Sequence, residues 1–143
     1  MIVEQISVFI ENKQGNLSAI ADLLATNNID ISALSLAENS EYGMLRMIVS
    51  DPHLAQQTLS SSGIFCKVTN VLAVAIDDKP GGFAKSVKIL SDNNIGINYM
   101  YALVSHEKGK ALMILGVDNL EKAQALIENS ENNDIKPNDI YRI

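Results

Sequence analysis

Cysteine is almost missing from this sequence. The single residue, Cys66, excludes an internal disulfide and fits a reducing, cytoplasmic setting. It lies in IFCKV with no histidine near in sequence to activate it, so it reads as a small strand residue rather than a nucleophile. Positive charge is scarce too. Eleven Lys and Arg face 17 Asp and Glu, and the net charge of −6 argues against a nucleic-acid or anionic-membrane surface. No apolar stretch reaches the roughly 20 residues of a membrane span. The start, MIVEQISVFIENK, has no basic n-region and its apolar run breaks at Glu4 and Ser7, so no signal peptide is expected. There is no Ser/Pro/Gln-rich tract, and 47% hydrophobic content over 143 residues can build a real core. That length ordinarily makes one domain.

Catalytic signatures are equally thin. GxSxG, HExxH and GxGxxG do not occur, and PGG alone is too short for a nucleotide loop. His53 and His106 lack metal-ligand spacing to another His or Cys and read as surface residues. Asp77-Asp78 could be a general acid/base pair, but adjacent residues point apart and nothing in the sequence orients them, so they read as turn and cap residues. No catalytic residue, metal or cofactor is expected. A ferredoxin-like isomerase or mutase working through Asp77-Asp78 is the remaining enzymatic alternative.

What the sequence does have is a repeat. Adding 66 to the residue numbers of the first half reproduces much of the second without a gap. Val8 falls on Val74, Ile10 on Ile76, Gly15 on Gly81, Asn27-Asn28-Ile29 on Asn93-Asn94-Ile95, Gly43 on Gly109, Met47-Ile48 on Met113-Ile114 and Leu54 on Leu120. The repeat overrules the length and predicts two units, 1–70 and 71–143.

Each unit reads as βαββαβ. Ile6, Val8 and Ile10 alternate as a strand does, as do Leu72, Val74 and Ile76. A glycine turn leads to a helix ending at an Asn-Asn pair suited to a left-handed cap. Strands follow from Ile29 to about Leu36 and from Ile95 to about Leu103. Glu41-Tyr42-Gly43 and Glu107-Lys108-Gly109 then predict hairpin turns. Asp51-Pro52 starts a second helix in one unit; Asp118, with Glu121 three residues on, starts it in the other. IFCKV is a short closing strand of the first unit, and IKPNDIYRI holds at most a short strand before Pro137. The predicted class is α+β: two tandem ferredoxin-like units with antiparallel sheets covered on one face by helices. Phe9, Ala73, Ala75, Leu112 and Ile114 make the other strand face apolar as well, which predicts a homodimer.

The order and repetition of these pieces resemble the ACT-domain family, specifically small proteins made of two tandem ACT domains. DDKPGGFAK is similar to that family's strand-to-helix turn, LSDNNIGINYMYALV to its helix end and second strand, and GKALMILGVDNLEKA to its third strand and second helix. In the first unit ENKQGNLSAIADLL is a looser version without the proline. The resemblance implies a non-catalytic regulator that binds an amino acid or similar metabolite and acts on an enzyme or transporter. It places the ligand between the strand-one turn of one unit and the second strand of its neighbour. By position the turns are Asn12, Gly15, Asn16 and Leu17, and Asp78, Pro80, Gly81, Gly82 and Phe83. The second-strand positions are Asp30 and Ser32, and Gly96, Asn98, Tyr99, Met100 and Tyr101.

A zwitterion needs N–H donors for its carboxylate and acceptors for its ammonium, and a glycine turn at a helix N-terminus flanked by Asn or Asp offers both. The alternative is that the glycines serve only the left-handed turn of the fold. Between the two turns, Asp78 with Asp30 gathers carboxylates with no basic side chain but Lys79 and suits a cation. Asn12 with Asn98 is neutral and is the expected site of a neutral amino acid, with Tyr99, Met100 and Tyr101 shaping a side-chain pocket. An interaction module that docks on an enzyme without a ligand is the competing expectation.

Overall fold

A computed structural model describes residues 1–11, 13–38, 41–103, 109–130 and 134–141. The chain divides into two compact bodies. The first comprises Glu4–Thr69 with Tyr141–Ile143, the second Met1–Val3 with Asn70–Ile140. Among the described residues are six strands and five helices: β1 (Ile2–Glu11), α1 (Asn16–Thr26), β2 (Ile31–Glu38), β3 (Tyr42–Val49), α2 (Pro52–Ser61), β4 (Cys66–Asp77), α3 (Gly82–Asp92), β5 (Ile97–Ala102), β6 (Lys110–Val117), α4 (Leu120–Glu128) and α5 (Pro137–Tyr141). The class is α+β, as the repeat predicts. IFCKV and VLAVAI are not separate strands, since β4 runs through both.

In the first body β3 lies between β2 and β1, antiparallel to each. Alternation turns Ile6, Val8 and Ile10 toward Leu45, Met47 and Val49, and both helices close over that face with Ile20, Leu24, Ala55 and Leu59. The second body repeats the plan, with β6 between β5 and β4. Its core gathers Leu72, Val74, Ile76 and Leu115 under Leu90, Ala123 and Ile127. Of the residues marked for the opposite face, Ala73, Leu112 and Ile114 are already buried within the chain, and only Phe9 is half exposed. The apolar argument for a second chain is correspondingly weaker.

The helix ends follow local chemistry. Asn28 and Asn94 take the left-handed conformation (φ 57° and 58°) that stops α1 and α3, as the Asn-Asn pairs predict. Asp51 caps α2 by accepting the Leu54 N–H at 2.9 Å. The start of α4 differs from expectation: its cap is Asn119, whose Oδ1 accepts from the Lys122 N–H at 3.1 Å. Asp118 is engaged elsewhere, accepting the Gly96 N–H at 3.1 Å. The chain end also differs, forming α5 instead of a strand. Pro137 suits a first helical position, and Asp139 reaches back to accept the Lys136 N–H at 2.8 Å, half of a capping box. Ile140 is fully buried and anchors it.

The repeat is not gapless. Leu72 lies 66 residues after Ile6, yet their partners across the sheet, Leu115 and Met47, lie 68 apart. The same two-residue offset relates Ala55 to Ala123 and Leu59 to Ile127, all fully or almost fully buried. The match of Leu54 to Leu120 is therefore coincidence, as are Gly43 on Gly109 and Met47-Ile48 on Met113-Ile114. The extra residues fall between β5 and β6. Tyr42 and Gly43 belong to β3 and not to a turn, and Glu107-Lys108 lie outside the described residues. A two-residue slip keeps every side chain on its own face, so the in-out pattern could not reveal it.

This register sets the core. Leu59→Ala and Ile127→Ala should each cost about 2–5 kcal/mol in urea unfolding, and Leu54→Ala, at a half-exposed position, less than about 1 kcal/mol. Comparable losses at Leu54 and Leu59 would restore the gapless alignment.

Candidate functional site

The two helices that follow β1 and β4 each begin after one residue of left-handed backbone, and glycine supplies it both times. Gly15 and Gly81 precede α1 and α3 with φ 91° and 86°. Neither would meet an atom within 4 Å if it carried a Cβ, so conformation rather than space requires them. Gly82 is different. A Cβ there would collide with the Asp77 carbonyl, so this glycine lets helix and strand approach closely. In the first body Asn16 stands at the same place and its Nδ2 donates to the Glu11 carbonyl at 2.9 Å. The paired glycines of PGG thus answer two demands of the backbone.

The turns also differ in charge. Lys13 Nζ lies 2.6 Å from Glu11 Oε2, both exposed. Asp77 is held by Lys110 at 2.7 Å and by Lys79 at 3.4 Å. The hydrogen bond from Lys110, with the charges of Lys110 and Lys79, holds the Asp77 carboxyl below the usual range. This corrects two expectations: Asp77 is oriented, and Lys79 is not the only base at the turn. Lys110 was missed because its place opposite Asp77 depends on the hairpin register.

Asn12 lies outside the described residues, as does His106. Leu17 and Phe83 are exposed just inside their helices, and Pro80 and Asp78 are exposed in the second turn. Asp78 donates its N–H to the Gly109 carbonyl at 3.0 Å. Asp30 exchanges hydrogen bonds with Ser50, donating its N–H to Oγ at 3.0 Å and accepting the Ser50 N–H at 2.9 Å. Ser32 sits at a bulge in β2, 1% exposed, its Oγ without a partner among the described residues. Its counterpart Asn98 sits at the matching bulge in β5 but is exposed.

Tyr99, Met100 and Tyr101 do not form one pocket. Alternation sends Met100 into the helix-covered core, where it shares a crevice of about 10 Å³ with Phe83. Tyr99 and Tyr101 go to the other face, and the Tyr99 ring lies across Gly116, where a Cβ would strike it. His53 is exposed, 3.1 Å from Glu4 Oε1. Cys66 is buried and its Sγ faces the Gln56 carbonyl at 3.7 Å, as a strand residue would. Among the described residues no group of three or more His, Cys, Asp or Glu could hold a metal ion. No helix there is long and apolar enough to cross a membrane.

The main concavity was not anticipated. An open groove of about 600 Å³ runs past the end of β1, lined by Glu11, Asn16, Ala19, Phe9, Tyr42 and Phe65 among others. Phe9 and Tyr42 pack at 6.0 Å between ring centroids. Phe65, 74% exposed, joins them through its carbonyl, which accepts the Phe9 N–H at 3.1 Å. The sequence signal was available in three aromatics at or next to strand ends, but it acquires meaning only when β1, β3 and the residue before β4 are brought together.

Two βαββα bodies, each bent at a left-handed glycine, define a tandem ferredoxin-like protein with its strand-to-helix turns open to solvent. The chain belongs to the ACT domain pair family, whose signature matches residues 1–143. It is similar in structure to protein BT0572 from Bacteroides thetaiotaomicron, with a TM-score of 0.91 and 32% identity over 100% of this chain and 98% of that one. It is also similar to the ligand-free regulatory subunit of aspartate kinase from Thermus thermophilus, at TM-score 0.62 and 14% identity over 92% and 98% of the two chains. The corresponding subunit from Thermus flavus gives TM-score 0.62 and 14% identity over 90% and 94%. At that identity the likeness is one of fold. No curated protein matches the sequence.

Two measurements follow from the turns. Gly81→Ala should cost about 1–2 kcal/mol, the strain of a left-handed residue with a Cβ. Gly82→Ala adds a collision and should cost more, up to about 3 kcal/mol. Equal losses in urea unfolding would mean that the close approach at Asp77 is not a constraint. The second concerns pH. A carboxyl whose folded value is depressed stabilises above its unfolded value, near about 4, and loses that contribution as pH falls through the folded value. Asp77→Asn should therefore lower the melting temperature at pH 7, with a gap to wild type that closes as pH drops from about 4 toward 2. A gap independent of pH would remove the ion pair as its cause.

Proposed function

We propose that this chain is a non-catalytic regulator that binds an amino acid at the turn between its first strand and first helix. One observation carries the reading. The first turn places a helix N-terminus and a Lys13–Glu11 pair, one charge of each sign, beside a groove of about 600 Å³, a usual size for a small-molecule site. A zwitterion has the complementary charges. Membership of the ACT domain pair family supports the regulatory reading, as does likeness in fold to proteins described as regulatory subunits of aspartate kinase, though fold alone does not assign function. In this reading residues 1–70 and 71–143 are two ACT units, and Asn12, Gly15, Asn16 and Leu17 meet the ligand. The protein is cytoplasmic, regulates an enzyme, touches no nucleic acid or membrane, and works as a homodimer.

Leu34 and Leu36, about half exposed on edge strand β2, favour the competing reading of a docking module without a ligand. A thermal-shift screen of the twenty amino acids separates the two. A ligand at 100 times its dissociation constant should add about 2.7 kcal/mol, and no shift with any of them would leave the docking module. Sedimentation at micromolar concentration should give about twice the chain mass of 15.5 kDa; a monomer there would refute the dimer.

A further inference from the structure

The duplication provides its own control, because among the described residues the same hollow occurs in both bodies at very different sizes. At the end of β4 the equivalent hollow holds about 20 Å³ against about 600 Å³ in the first body. The substitutions between them run one way. Tyr42 stands opposite Glu11 across the sheet, and at the matching position Lys110 stands opposite Asp77 and seizes its carboxylate. Phe9 becomes Ala75, Ala19 becomes Lys85 and Ile20 becomes Ser86. Asn16 becomes Gly82, and the helix settles onto the strand. The second hollow is thus narrow and polar, its carboxylate already neutralised by two ammonium groups. The first is broad and walled by aromatic and aliphatic side chains, with its charges confined to the Glu11–Lys13 pair at the rim.

We infer that the groove of Phe9, Tyr42, Phe65 and Ala19 is the side-chain subsite of the proposed amino-acid regulator, and that it selects a large apolar side chain, aromatic or branched aliphatic, while the second body's hollow binds nothing. This rests on the reading of the chain as an amino-acid regulator. A small side chain would leave the aromatic wall in water, and a charged one would lose hydration without a partner, since Glu11 is already engaged.

Calorimetry with phenylalanine, leucine, glycine, aspartate and lysine tests it on the full chain and on three variants. Ala19→Lys copies the second body's residue on an exposed helix position, Phe65→Ala removes the most exposed wall, and Lys85→Ala alters only the second hollow. Phenylalanine or leucine should bind wild type and Lys85→Ala alike, and bind Ala19→Lys and Phe65→Ala about tenfold or more weakly. Glycine, aspartate and lysine should not bind. Binding of those polar or small amino acids alone would overturn the inference and leave the regulator standing. No binding by any amino acid would overturn both. Unchanged affinity in Ala19→Lys and Phe65→Ala would overturn the subsite, and so would sedimentation showing that either variant splits a dimer, since the groove would then belong to a second copy.

Discussion

The structure depends on a backbone constraint: a strand must reverse into a helix that lies back upon it within about four residues. At the ends of β1 and β4 that reversal passes through one left-handed residue, a conformation that a Cβ makes expensive. Gly15 and Gly81 meet the constraint identically, with φ 91° and 86° and no side-chain cap. Once the helix direction is fixed, Leu24 and Leu90 must meet the strand face, and the asparagines at 28 and 94 must end the helix before it overshoots. The helix N-terminus is left uncapped and facing solvent at the same end of each body. That combination is what a ligand could use, but the fold produces it whether or not a ligand exists.

Two copies of one constraint have diverged around it. The deciding position lies opposite the last acidic residue of the first strand. Lysine there makes an ion pair that fills the space, whereas tyrosine packs on a neighbouring phenylalanine and leaves the carboxylate to Lys13 at the rim. The residue after the glycine acts in concert. Gly82 permits contact with the strand backbone, and Asn16 instead reaches the strand through its side-chain hydrogen bond to the Glu11 carbonyl. Neither position belongs to the apolar core clusters under the helices. The bodies could therefore diverge at the turn while keeping the same core.

Much of the fold was legible in the sequence because alternation and caps are local. Ile6, Val8 and Ile10, the Asn-Asn pairs and Asp51-Pro52 declare their roles within a few residues. What stayed hidden was register. A slip of two residues between β5 and β6 preserves every inward and outward assignment, so the pattern gave no sign of it. That slip decides which residue faces Asp77, and the turn was accordingly read as lacking Lys110. α5 was hidden for another reason, its start signal being a reach of Asp139 back to Lys136 that a proline first suggests should be a break. The groove was the least legible, since Phe9 and Tyr42 come from β1 and β3 and Phe65 from the loop before β4, far apart in the chain.

The exposed aromatics carry a thermodynamic argument of their own. Phe9, Tyr42 and Phe65 remain about half exposed or more around one hollow, although the second body shows that the fold is built equally well with Ala75 and Lys110 at two of these positions. Apolar surface left in water forgoes about 25 cal/mol for each Å² that could be covered, so shielding roughly 100 Å² would stabilise by about 2.5 kcal/mol. A partner of any kind could collect that energy. What distinguishes a small zwitterion is the rim, where Glu11 and Lys13 form an ion pair at an exposed site and such a pair is worth little in water. Exchanging a weak ion pair for two contacts to a ligand, while its side chain covers the aromatics, joins a small electrostatic loss to a larger apolar gain. In the second body the exchange runs the other way, because Asp77 would have to give up Lys110 and no aromatic wall offers compensation.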